Sequence, residues 1–309
     1  MRFKKLFPIF LLVMSMLCWA ANFHITKITL DYYSPLGVAT WRFFFGVLGL
    51  LVIMYLQFGK KLFRFKFSQK EWLYLFLTGF FGIFLTIYFF NFGLQTTSAI
   101  NGSLIIATSP AITAVFSFLF VRKKVGILQW LAIALSFFGV ALILVKGDLM
   151  KLAELQFEVG DVYILMMATV FSLSQIIVGK YLAHIDAALM TTVTSTLSLI
   201  LFAIFSIPEL MAVPLPTVPE FWASILFMGL IGTAFAYTAF YFCVVKVGAT
   251  TSTLYMNLIP FFTVLLAFPF GEKLYGVQLV GGVIIITGLV LFTLAKNDPG
   301  LKKMRARLK

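Results

Sequence analysis

The residues best suited to chemistry in this chain are hydrogen-bonding side chains set inside long apolar runs. Tyr88, Asn91 and Gln95 recur at i, i+3 and i+7, the spacing that lines up side chains along one face of a helix. Tyr237 and Tyr241 stand four apart, and Tyr255 and Asn257 follow in the next run. Trp19 and Asn22 lie in the first run, Asn101 in the fourth, and Gln175 past the middle of the sixth. Amide and phenol groups are costly in hydrocarbon unless paired or hydrated. As a set they predict a central crevice that hydrogen-bonds a small solute amid aromatic walls. For any one of them, a bond between neighbouring helices explains its presence equally well.

Bond-making chemistry finds little support. The chain has no Gly-x-Ser-x-Gly, His-Glu-x-x-His or phosphate-loop pattern. Two histidines do not readily build a metal site, and no cofactor is expected. Cys18 and Cys243 fall inside apolar runs and read as small packing residues. Every Asp and Glu sits at the end of a run, so no carboxylate is placed for a proton relay within one. Facilitated movement or exchange therefore fits better than obligatory proton coupling. His24, Lys27 and Arg42 are read as satisfied or snorkelling side chains near the ends or in the outer half of the first two runs.

What must position these groups is a set of helices in lipid. Of 309 residues 61% are apolar and 11% charged, against roughly 45–50% and 25% in soluble domains. A membrane span needs about 20 mainly apolar residues. Ten stretches qualify: 7–26, 35–57, 71–94, 97–121, 126–145, 160–181, 186–207, 219–245, 249–271 and 275–295. Two pairs of runs nearly fuse, and a turn is expected in each case, at Gln95–Ser98 and at Lys246–Ala249. The first run is read as a retained span and not as a cleaved leader, because the internal repeat described below needs it.

The formal charge of +13 lies in short loops and not on one solvated stripe, so no nucleic-acid partner is expected. Placing the N-terminus in the cytoplasm puts nineteen of the 24 Lys and Arg residues on that side and leaves Lys27, Lys146, Lys151 and Lys273 outside. Both termini are therefore expected in the cytoplasm, in a bacterial inner membrane. The expected partners are lipid and a small-molecule metabolite, with the chain a monomer or weak homo-oligomer.

Shifting the chain by 150 residues aligns Gly79 with Gly229, Gly82 with Gly232, Phe90 with Phe240, Ala99 with Ala249, Pro110 with Pro260 and Thr113 with Thr263. Asn91 and Tyr241 fall at equivalent positions. The predicted organisation is a five-helix repeat over 1–147, an extracytoplasmic linker over 148–159, a second five-helix repeat over 160–296 and a basic tail over 297–309. Five is odd, so the second repeat enters the membrane from the opposite side, an inverted-topology arrangement shared by many secondary transporters. Pro110 and Pro260, near the middle of equivalent spans, are expected to bend them and to act as hinges for two gates.

Several short elements resemble the EamA family of the drug/metabolite transporter superfamily. They are Trp19-Ala20-Ala21-Asn22-Phe23, Ser34-Pro35 and Trp41-Arg42-Phe43 in the first half. In the second half they are Gly232 to Tyr237, Val247 to Thr250, Pro260, Gly271 to Leu274 and Gly281-Gly282. Two positions depart from the family pattern, Val121-Arg122-Lys123 and Phe171-Ser172. The resemblance implies an all-α protein of ten membrane helices that transports small metabolites, often amino acids and often outward. An intramembrane enzyme or a membrane scaffold is the alternative.

Overall fold

The computed structural model describes residues 2–59, 65–97, 99–148, 150, 158–267 and 275–297, with the side chains of all of these except 2–5, 27, 99–101, 103, 267, 296 and 297. Among the described residues there is no β-strand, and ten helices are long and apolar enough to cross a membrane. They are α1 (Leu6–Leu30), α2 (Pro35–Phe58), α3 (Gln69–Thr96), α4 (Leu104–Val121), α5 (Ile127–Leu144), α6 (Val159–Tyr181), α7 (Ala187–Ala212), α8 (Pro219–Val247), α9 (Ala249–Leu266) and α10 (Gly276–Ala295). The all-helical class and the number of spans agree with the sequence.

Local chemistry sets the ends. Ser68 and Glu71 form a capping box that satisfies backbone amides at the start of α3. Asp186 accepts the Ala188 and Leu189 amides, at 2.9 and 3.2 Å, to begin α7. The joint between α8 and α9 falls at Gly248, whose φ of 95° and ψ of 152° suit glycine almost alone. Helix α7 runs on through Pro208 to Ala212, past the expected end at 207. A proline this close to the end removes one hydrogen bond, and the final turn still closes from the Val213 amide to the Glu209 carbonyl at 2.8 Å. The extra turn brings Glu209 onto the start of α2, where it accepts from the Ser34 amide at 2.6 Å.

Two irregularities recur in equivalent helices. Phe80–Leu85 of α3 and Phe227–Phe235 of α8 are π-helical. In each case a threonine hydroxyl reaches a carbonyl five residues back, Thr86 to Phe81 at 2.8 Å and Thr233 to Met228 at 3.0 Å. The helical run containing α4 is interrupted at Ala107-Thr108, and α9 tightens to a 3-10 turn over Tyr255–Asn257. Both breaks lie just before Pro110 and Pro260, where the absent amide and the ring clash act on the preceding turn. Both expected positions thus carry a break in the regular helix.

The two halves interlock by exchange. Helix α5 packs on α10, α2 on α7 and α4 on α9, while α3 against α6 is matched by α8 against α1. Likewise α2 against α8 is matched by α7 against α3, and α4 against α6 by α9 against α1. At the α5–α10 crossing a Cβ on Gly139 would meet the Gly281 carbonyl at 2.8 Å, and one on Gly281 would meet the Gly139 carbonyl at 2.8 Å. Close backbone approach at small residues is how helices associate without a hydrophobic drive between them. Large apolar side chains such as Leu56, Phe118 and Leu294 face outward, and many buried Ser and Thr hydroxyls turn back onto their own helices.

Candidate functional site

A cavity lies where the halves meet. Seven helices line it: α1 with Trp19, Asn22 and Phe23, α2 with Arg42, α3 with Thr86, Ile87 and Phe90, α4 with Ile106, α6 with Met167 and Phe171, α8 with Tyr237, and α9 with Met256 and Ile259. Its volume of about 60 Å³ accommodates a few waters, at roughly 10–15 Å³ each. The π-helical stretch of α8 shapes one wall. The Gly232 carbonyl accepts from Trp19 Nε1 at 3.1 Å and Arg42 Nη2 at 3.5 Å, and Thr233 Oγ1 accepts from Arg42 Nε at 3.0 Å. Gly232 also sits against the Asn22 amide, so no larger residue fits there without displacing it.

Aromatic packing closes the cavity towards the end of the bundle that carries Lys123, Lys180 and Lys246. The Trp19 ring meets Tyr237 at 5.2 Å and Phe240 at 5.1 Å, and Phe171 meets Phe240 at 5.6 Å. Beyond this plug a second cavity of about 320 Å³ is lined by Gln175, the ends of α4 and α6, and the α8–α9 joint. Phe171 borders the first cavity and Gln175 the second, one helical turn apart, about 6 Å along the axis. On α8 the intervening Phe240 and Tyr241 are fully buried.

Of the residues singled out in the sequence, Trp19, Asn22 and Tyr237 meet at the central cavity. Tyr241 packs edge-on to Tyr237 at 6.0 Å, directly behind that wall. Asn91 and Asn257 are buried beside the cavity and bridge helices, Asn91 to the Pro35 carbonyl and Asn257 to Ser136 Oγ, each at 2.9 Å. Each leaves its amide oxygen without a partner among the described residues. Gln175 belongs to the second cavity, donating to Ser174 Oγ at 2.8 Å. Tyr88 packs on Phe92 at 4.5 Å outside the central cavity, and Gln95 is exposed near the end of α3. Tyr255 lines a separate apolar crevice with residues of α1 and α10. The side chain of Asn101 lies outside the described residues.

One group escaped the sequence reading. Arg42 is buried to 4% exposure against the cavity and does not snorkel to an end of its span. Its depth was the available signal, because eight residues beyond Ser34 place it about 12 Å along the helix. Among the described residues it has no carboxylate partner. His24 is exposed, with Nε2 3.5 Å from the Thr263 carbonyl, and the side chain of Lys27 lies outside the described residues.

Ten apolar helices with a largely apolar cavity between the two halves define a multi-pass membrane protein. The EamA-like transporter family matches residues 6–145 and again 158–294, and the chain belongs to that family. Among its relatives is an uncharacterized transporter of Archaeoglobus fulgidus, 30% identical over 289 residues, 93% of this chain and 98% of that protein. The uncharacterized transporter YyaM of Bacillus subtilis is 26% identical over 87% of this chain and 88% of its own length. A solved crystal structure shares the fold with a TM-score of 0.74 at 16% identity, covering 93% of this chain and 97% of its own. The protein is a membrane transporter and not an enzyme.

Proposed function

We propose that this chain is a secondary carrier that moves small polar or amphipathic metabolites, amino acids among them, across the cytoplasmic membrane as an exporter or facilitator. The central cavity opens alternately to the two sides as one five-helix half rocks against the other. The observation that carries this reading is the cavity itself, walled by both halves and closed at one end by an aromatic plug. The reciprocal contacts between halves and the odd number of spans in each favour an inverted repeat. The excess of Lys and Arg on one side favours cytoplasmic termini. A cavity enclosed by one chain lets a monomer, or a weak homo-oligomer, work.

In this reading Trp19, Asn22 and Tyr237 contact the solute. Asn91, Gln175, Tyr241 and Asn257 hold the helices that move, and Pro110 and Pro260 serve as hinges. Counterflow into liposomes containing the purified protein, run with labelled amino acids, nucleosides and amines, tests it. Exchange of at least one compound is expected, with alanine at Asn91, Tyr241 or Asn257 impairing it while membrane insertion is retained. Absence of exchange across the panel, or formation of a product, rejects the carrier.

A further inference from the structure

We infer that the solute is an organic anion whose carboxylate binds Arg42, with an apolar body lying against the remaining walls. The inference rests on the carrier reading only in taking the central cavity as the binding site.

Arg42 carries five N–H groups. Nε is directed at Thr233 Oγ1 at 3.0 Å and Nη2 at the Gly232 carbonyl at 3.5 Å. The other N–H groups meet no acceptor among the described residues. A cation taken out of water costs several kcal/mol, and the two neutral acceptors, with the Phe43 ring 5.5 Å from the guanidinium carbon, compensate it in part. Among the described residues no Asp or Glu lines the cavity, so no carboxylate there neutralises the guanidinium or pairs with an ammonium group. A carboxylate does both missing things at once, because its two oxygens match two parallel N–H groups of the fork. One guanidinium balances one carboxylate, whereas a phosphate dianion would stay half-neutralised.

The other walls set the rest of the solute. Phe23, Ile87, Phe90, Ile106 and Met167 present apolar surface. Asn22 is buried to 4% exposure, and its Oδ1 has no partner among the described residues. It flanks Gly232, as Arg42 does, and offers an acceptor to an N–H or O–H of the same solute.

The second cavity points the same way on separate grounds. Lys123, Lys180 and Lys246 converge on it from three different segments, and among the described residues no acid lines it. Of the acids at that end, Glu71 is engaged by Ser68 and by His184 Nε2 at 2.6 Å, and Asp186 caps α7. A mouth of one sign concentrates counter-charged solutes, here anions on their way to a buried cation.

The test uses the purified full-length protein and three matched probes, butanoate, butanamide and butylamine, with binding measured by calorimetry. Wild-type protein is expected to bind butanoate roughly tenfold to a hundredfold more tightly than butanamide, the factor for a charged hydrogen bond, and butylamine no better than the amide. Arg42→Gln should bring butanoate down to the level of the amide, and Arg42→Lys should keep part of the preference. Equal binding of the three probes by wild type overturns the assignment even if Arg42→Gln does not fold, and so does unchanged butanoate binding by a folded Arg42→Gln. Trans-stimulated uptake of the same probes separates the two readings. A butanoate preference in binding without any uptake rejects the carrier and keeps the Arg42 site, whereas uptake indifferent to head-group charge rejects the site and keeps the carrier.

Discussion

Replacing Gly232 by alanine probes the cavity wall with a single methyl group. The three atoms nearest to a Cβ built there all belong to the Asn22 amide, with Oδ1 at 2.8 Å and Cγ at 3.0 Å. Overpacking of this kind costs about 1–3 kcal/mol, and alanine returns up to about 1 kcal/mol of helix propensity over glycine. The expected net loss of stability is therefore modest, on the order of 0–2 kcal/mol. The functional loss should be larger, because the displaced amide shifts within a cavity of only about 60 Å³. Thermal melting in detergent and exchange in liposomes measure the two effects. Gly232→Ala should exchange solute at least about tenfold more slowly while melting near wild type, since 1.4 kcal/mol suffices for that factor. Asn22→Ala combined with Gly232→Ala should recover stability, with a coupling of roughly 0.5–3 kcal/mol for residues in contact. Wild-type exchange by Gly232→Ala, or strict additivity of the two changes, would refute the geometry of this wall.

Four further outcomes follow from packing, polarity and backbone constraint. Gly281→Leu should abolish recovery of monodisperse protein on size exclusion by separating α5 from α10. Gly276→Ala, with no heavy atom within 4 Å of the new Cβ, should stay within about 0.5 kcal/mol of wild type. Asn257→Leu exchanges one hydrogen bond worth about 1 kcal/mol for relief of an unsatisfied buried oxygen costing about 1–3 kcal/mol, so its melting temperature should hold or rise while exchange falls. Normal exchange in that variant would leave Asn257 a purely structural role. Pro110→Ala with Pro260→Ala should slow exchange without loss of insertion, and undiminished exchange would reject the hinges.

The helices were legible because lipid imposes length and composition so strongly that ten apolar runs suffice to find them. The breaks before Pro110 and Pro260 and the turn at Gly248 were legible for similar reasons, since proline and glycine act through their own backbones. The π-helical stretches were not, because Phe80–Leu85 and Phe227–Phe235 carry no periodic signature that sets them apart from α-helix. The same limit applied to side chains. The i, i+3, i+7 spacing of Tyr88, Asn91 and Gln95 marks one face of α3, yet that helix presents Thr86, Ile87 and Phe90 to the cavity. Periodicity finds a polar face but not which neighbour it meets. Arg42 was undervalued because charge in a span suggests escape to water, whereas here Thr233 and the Gly232 carbonyl hold it inside.

The most direct test of the carrier account places one cysteine at Ile106, on the cavity wall, after Cys18 and Cys243 are replaced by alanine. Membrane-impermeant thiol reagents are then applied separately to right-side-out and inside-out vesicles. Alternating access predicts labelling from either side, with each rate altered by a transported solute. Labelling confined to one side, with solute and without it, would contradict it.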